Sequence, residues 1–149
     1  MNPKMLRTTL CLTLGFAALA LIACAANPVP TATPAPIAPS PIEYTRVGGI
    51  AGFNDRLTID AKGHAVVSRR TGKSEFDLDE ATLKKIYAAF QTAGFASIAE
   101  DSMPKGVVAD AFNYTLTYQG RTVKTADSAV PKAMQPLLEI LNPLVNSAR

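Results

Sequence analysis

One histidine, His64, and two cysteines, Cys11 and Cys24, are all that this chain of 149 residues offers a nitrogen- or sulfur-loving metal. Structural and catalytic zinc sites take three or four such ligands, so a histidine-based zinc cage is excluded by count. There is no G-x-S-x-G run to present a serine nucleophile on a strand-to-helix elbow. The glycine-rich run GGIAGF, Gly48 to Phe53, lacks the GK[ST] with which a phosphate loop grips nucleotide and magnesium. The acidic group Asp77, Asp79 and Glu80 has neither the length nor the glycine of a calcium loop, and helix capping accounts for it. No internal repeat is present. No cofactor and no catalytic residue is therefore expected, and a small binding module is the better reading than an enzyme.

Charge is also scarce. The formal net charge is +3, from 15 basic and 12 acidic residues. Two of the basic residues, Lys4 and Arg7, fall in the opening MNPKMLR, and without them the remainder carries only +1. Nucleic-acid binding needs clustered lysine and arginine, so no nucleic-acid partner is expected. Arg69 and Arg70 read as the solvated end of a hairpin.

What is present begins with TTLCLTLGFAALALIA, 16 residues without a charge behind that basic start. This is a secretory signal pattern. A spanning helix needs roughly 20 apolar residues, and prolines follow closely, which makes a permanent transmembrane helix the weaker reading. Leu21, Ile22, Ala23 and Cys24 resemble the bacterial lipobox, whose pattern implies diacylglycerol on the Cys24 thiol, cleavage before it and acylation of the new amino terminus. Two or more acyl chains anchor stably where one anchors marginally. The competing reading is an ordinary signal peptide that leaves an unpaired thiol. Cys11 would depart with the signal, so no disulfide is expected.

From Asn27 to Pro41 six of fifteen residues are proline. Proline fixes φ and removes a backbone donor, so the stretch favours extended polyproline conformations and forms no packed core. At about 3.1 Å per residue it spans some 45 Å at full stretch. The expected organisation is a signal peptide over 1–23, a lipid-anchored proline-rich linker over 24–42 and one domain over 43–149, at the exported face of the cell membrane or outer membrane.

The domain is long enough to bury a core without staples. EYTRVGGIAGF reads as a strand and a glycine-rich bend. RLTID, AKG and HAVVSRR read as a hairpin, and SEFDL as a short strand. Leu83, Ile86, Tyr87 and Phe90 fall at helical spacing, with Asp77 or Asp79 to cap the start and Gly94 to end the helix. The stretch 100–110, with Pro104 and Gly106, reads as a surface loop. FNYTLTY alternates, and with Gln119-Gly120 and RTVKT predicts a second hairpin. Met134, Leu137, Leu138 and Leu141 mark a closing helix, continued by Leu144 and Val145, that begins or kinks at Pro136. The order predicts an α+β fold, an antiparallel sheet of about four to six strands packed against two helices on one face.

The strings YTRVGGIAGF, ATLKKIYAAFQTAGF, ADAFNYTLTYQGRTVKT and VPKAMQPLLEIL together resemble the emfourin family, over about Tyr44 to Leu144. The R-x-G-G-x-x-G block from Arg46 to Gly52 and the D-x-F-x-Y block from Asp110 to Tyr114 carry most of the resemblance. Members of that family include inhibitors of thermolysin-like zinc metalloproteases. The resemblance implies a tethered inhibitor that fills a protease cleft with an exposed loop. Two loops qualify: Gly48 to Phe53, with Gly48, Gly49, Ile50, Gly52 and Phe53 as partner-binding residues, or Glu100 to Asp110. On the residues alone the glycine run also reads as a bulge or crossover that serves the fold. The alternative function is a non-catalytic envelope lipoprotein that binds another protein or a wall component through its sheet. A lipid anchor and a proline stalk depart from the family's inhibitors and place any target at the envelope.

Overall fold

A computed structural model describes residues 38–106 and 108–148. The expected signal peptide, the lipobox residues Leu21, Ile22, Ala23 and Cys24, and the linker as far as residue 37 lie outside the described residues.

Seven strands and two helices make the fold, which is α+β. Strand β1 (Ile42–Gly48) lies at the centre of the sheet. On one side it pairs antiparallel with β2 (Phe53–Ile59), which leads through β3 (His64–Arg69) to β4 (Gly72–Asp77) at one edge. On the other side it pairs antiparallel with β6 (Phe112–Tyr118), followed by β7 (Arg121–Ala126) and the two-residue β5 (Asp101–Ser102). Helix α1 (Glu80–Thr92) follows β4, and helix α2 (Gln135–Ser147) closes the chain.

The pleat decides which residues face the helices, because successive side chains of a strand point to opposite faces. Register aligns Tyr44 with Leu57 on one side and Leu116 on the other, and Ile42 with Ile59 and Tyr118. These six are buried against Ile86 and Phe90 of α1 and Leu137, Leu141 and Val145 of α2. Both helices thus cover one face. The opposite face is polar: Thr45, Thr58, Thr115, Thr117 and Thr122 alternate with charged neighbours, and no aromatic residue of these strands lies on it.

Asp79 caps α1, its carboxylate accepting from the Thr82 backbone N–H at 2.7 Å and the Thr82 hydroxyl at 2.8 Å. Asp77, the other expected cap, accepts instead from the His64 ring at 2.8 Å. Pro136 sits in the first turn of α2, where its missing N–H costs nothing. The helix runs on through Pro143, on its exposed side, to bury Val145.

Three expectations need correction. The sheet has seven strands, because the stretch read wholly as a surface loop contributes β5, which pairs parallel with β7 and is set by the Lys124 N–H donating to the Glu100 carbonyl at 2.8 Å. The sheet begins one residue before the expected boundary at Glu43: Ile42 is fully buried and pairs on both sides. Arg69 is not a solvated hairpin end. It donates to the Ala148 carbonyl and lies 3.8 Å from the Asp55 carboxylate, while Arg70 is exposed as expected.

Candidate functional site

The Gly48–Phe53 run is the turn of the β1–β2 hairpin, so it serves the fold and is presented at its tip at once. Gly48 and Gly49 hold φ of +117° and +70°, and the two approach a neighbouring strand too closely for any side chain. A Cβ on Gly48 would stand 2.3 Å from the Ala111 carbonyl oxygen, and one on Gly49 2.8 Å from the Phe112 ring. The Gly49 N–H donates to that same Ala111 carbonyl at 3.3 Å, and the Gly52 N–H closes the turn on the Gly49 carbonyl at 3.0 Å.

Under the turn lies a charge pair. Alternation places Arg46 and Asp55 on the helix-covered face, opposite each other across the hairpin, and both are buried. The Arg46 guanidinium donates to Asp55 Oδ2 from Nη2 at 2.6 Å and from Nε at 3.2 Å. It reaches α2 as well, donating to Asn146 Oδ1 at 2.9 Å and Asn142 Oδ1 at 3.3 Å. The Tyr44 hydroxyl donates to the same Asn142 oxygen at 2.7 Å. A buried charge needs both a counter-charge and satisfied donors, and Arg46 has them. Its guanidinium also lies over the rings of Phe53 and Phe112, 5.5 and 5.2 Å from their centroids.

A second anchor stands beside it. Asp127 accepts from the Phe112 N–H at 2.9 Å and from the Tyr114 hydroxyl. Burial pushes the Tyr44 and Tyr114 hydroxyls far above their ordinary range, and for Tyr114 the hydrogen bond to Asp127 adds to it. Both phenols therefore stay protonated and act as donors.

The residues singled out as partner-binding divide accordingly. Gly48 and Gly49 are packed into the base of the turn, and Gly52 is exposed. Phe53 is 42% exposed, its ring lying against Phe112 at 5.6 Å between centroids. Ile50 is 90% exposed at the tip. The second expected loop opens at the same end of the sheet, since Ser102 pairs with Thr125 and the segment returns into Phe112, the register partner of Gly48. Among the described residues, the exposed large apolar side chains fall on these two segments or next to one of them: Ile50 and Phe53 on the hairpin turn, with Val47 in β1 just before it on the opposite face, and Met103 and Val108 on the other.

Sequence reasoning quoted Arg46 only as part of a block and missed Asp55, Asn142, Asn146 and Asp127. One signal was available: the alternating runs on either side of the hairpin place opposite charges at positions where apolar residues should continue. Among the described residues, no group of three histidine, cysteine or acidic side chains is arranged to hold a metal ion, and no helix is long and apolar enough to cross a membrane. Comparison with protein-family models finds no match, and comparison with curated proteins finds none either.

Proposed function

We propose that this chain is a lipid-tethered protein of the bacterial envelope whose emfourin-like domain blocks thermolysin-like zinc metalloproteases with the Gly48–Phe53 hairpin, without catalysis of its own. The observation that supports it is the gathering of exposed apolar side chains at one sheet end, with Ile50 foremost. Apolar residues scattered singly over a surface need no explanation, whereas a cluster at one end marks a surface for a partner.

An inhibitory loop has to enter a cleft and keep its shape there. The hairpin tip is braced by the Ala111 carbonyl, the Phe112 ring and the Arg46–Asp55 pair, so little conformational freedom remains to be lost on binding. Burial of the Ile50 side chain in an apolar subsite contributes about 1.5–3 kcal/mol. The polar, threonine-rich sheet face lacks the exposed aromatic residues that would draw the reading toward a scaffold protein bound through its sheet.

The test is an inhibition constant for the full chain in detergent micelles against purified thermolysin-like proteases, paired with a melting curve. Ile50→Asp should weaken inhibition about tenfold or more with an unchanged melting temperature, because the cleft would desolvate a carboxylate. A folded wild-type chain that leaves these proteases fully active at micromolar concentration sinks the proposal.

A further inference from the structure

The sheet has one long edge without a neighbour. Among the described residues β4 pairs with β3 alone, whereas the opposite edge is the two-residue β5. Exposed edges are normally kept short, bulged, interrupted by proline or charged. β4 has six residues, none of them proline, and its register with β3 runs unbroken from Gly72 to Asp77. Its only guard is charge, and the charge is patterned.

The direction of its free backbone groups follows from the hairpin with β3. Just beyond the strand, the Leu78 N–H donates to the Gly63 carbonyl at 3.0 Å. Hydrogen-bonded and non-hydrogen-bonded pairs alternate along an antiparallel ladder, so the hydrogen-bonded ones are Ala65–Phe76, Val67–Ser74 and Arg69–Gly72. The N–H and C=O of Lys73, Glu75 and Asp77 therefore point away from β3. Their side chains lie on the polar face and are exposed. Lys73 Nζ stands 2.6 Å from Glu75 Oε1, so plus and minus follow each other along the edge.

We propose that this edge pairs with the β4 edge of a second copy, antiparallel about Ser74, so that two sheets become one. Outward-pointing residues must stand opposite each other in such a pair, and charge selects the register. About Ser74, each Lys73 meets Glu75 of the other copy, and the four side chains alternate in sign. About Glu75, two Glu75 carboxylates would stand directly opposite; about Phe76, Glu75 would face Asp77; about Lys73, the two ammonium groups would meet. Like charges directly opposite destabilise a strand pair and opposite ones stabilise it. The chosen register also sets the partly buried Phe76 across from Gly72 of the other copy, and the space above Gly72 is open, with no atom within 4 Å of where a Cβ would stand. An aromatic side chain there covers the bare backbone of an edge glycine. Each Lys73–Glu75 pair exchanges both of its backbone hydrogen bonds. The contact is small, so the pairing is reversible. β1 lies three strands in from this edge, which leaves the Gly48–Phe53 tip of each copy uncovered, and the inference does not rest on the proposed inhibition.

The experiment is disulfide trapping in cells that produce the full chain. Ser74 meets its own copy in a non-hydrogen-bonded pair, whose Cα atoms, about 4.5 Å apart, suit a disulfide. On mild oxidation Ser74→Cys should give about fivefold more dimer on a non-reducing gel than two controls. One is the wild-type chain, with Cys11 and Cys24 as background, and the other is Lys62→Cys, an exposed site on the β2–β3 turn. In the Ser74→Cys chain, Lys73→Glu should lower the trapped dimer about fivefold, and Glu75→Lys added to it should restore the dimer, because the swap rebuilds opposite pairs. Melting curves of the purified variants should match, since these side chains are exposed. Equal trapping in Ser74→Cys and Lys62→Cys, trapping that ignores Lys73→Glu while the fold holds, or a trapped product that contains another protein in place of a second copy would overturn the proposal.

Discussion

Arg46 is the residue through which the hairpin, the last turns of α2 and the Phe53–Phe112 pair are joined. Removing one member of a buried ion pair leaves the other charge uncompensated, at a cost of about 3–5 kcal/mol. Arg46→Met should cause a loss of that size in urea denaturation, because Arg69 at 3.8 Å is too distant to satisfy Asp55 alone. Arg46→Met combined with Asp55→Leu should recover much of it, since a well-packed apolar pair often matches a buried salt bridge. His64 gives a pH-dependent prediction. Its hydrogen bond to Asp77 raises its pKa above the ordinary 6.5, opposed by partial desolvation and helped by Glu75 and Asp60. The charged form is thus favoured in the folded state. The associated stability is present in full below the unfolded pKa and is lost as pH rises through the folded one. Because His64 is the chain's single histidine, its NMR titration is unambiguous: the midpoint should lie above 6.5 and fall toward it in Asp77→Asn.

Among the elements, the β1–β2 hairpin separates two costs that glycine substitution usually mixes. Gly52 holds φ of +61° in open surroundings, its nearest neighbour being the end of Arg70 at 3.6 Å, so Gly52→Ala should cost only the backbone penalty, about 1 kcal/mol. Gly48→Ala adds the overlap with the Ala111 carbonyl and should cost about 3 kcal/mol or more. Thermal melts of the two variants check the order. The need for glycine was legible in the sequence; the second reason was not, because Ala111 and Phe112 reach the hairpin from a strand far along the chain. The same division runs through the whole fold. The periodicity of Leu83, Ile86, Tyr87 and Phe90 and the alternation of Phe112 to Tyr118 are local signals, and both elements form where those signals lie. β5 has two residues, too few to alternate, and exists only because β7 offers it an edge. The Arg46–Asp55 pair depends on register, and its contacts with Asn142 and Asn146 on how α2 crosses the sheet.

At the scale of the whole molecule the two ends of the sheet differ. One carries the apolar tips of the hairpin and the 103–108 segment; at the other the chain enters β1 at Ile42. The proposed anchor at Cys24 can be tested separately from either. Cys24→Ser should abolish lipid labelling and leave unprocessed precursor, and membrane partitioning that survives in a processed, unlabelled chain would show that attachment has another cause.

The central position of β1 has a mechanical consequence. The strand is entered at Ile42, just after Ser40, whose carbonyl accepts from the Tyr87 hydroxyl at 3.1 Å, and it runs straight into the hairpin tip at Gly48. A pull between the preceding chain and a partner gripping Ile50 therefore travels along a single taut backbone, seven residues or about 23 Å long. Covalent bonds carry that load. Neither the helices nor the sheet ladders lie in series with it, so the domain can be tugged at its tip without being pulled apart, and the first thing to yield under strain is the grip of the partner.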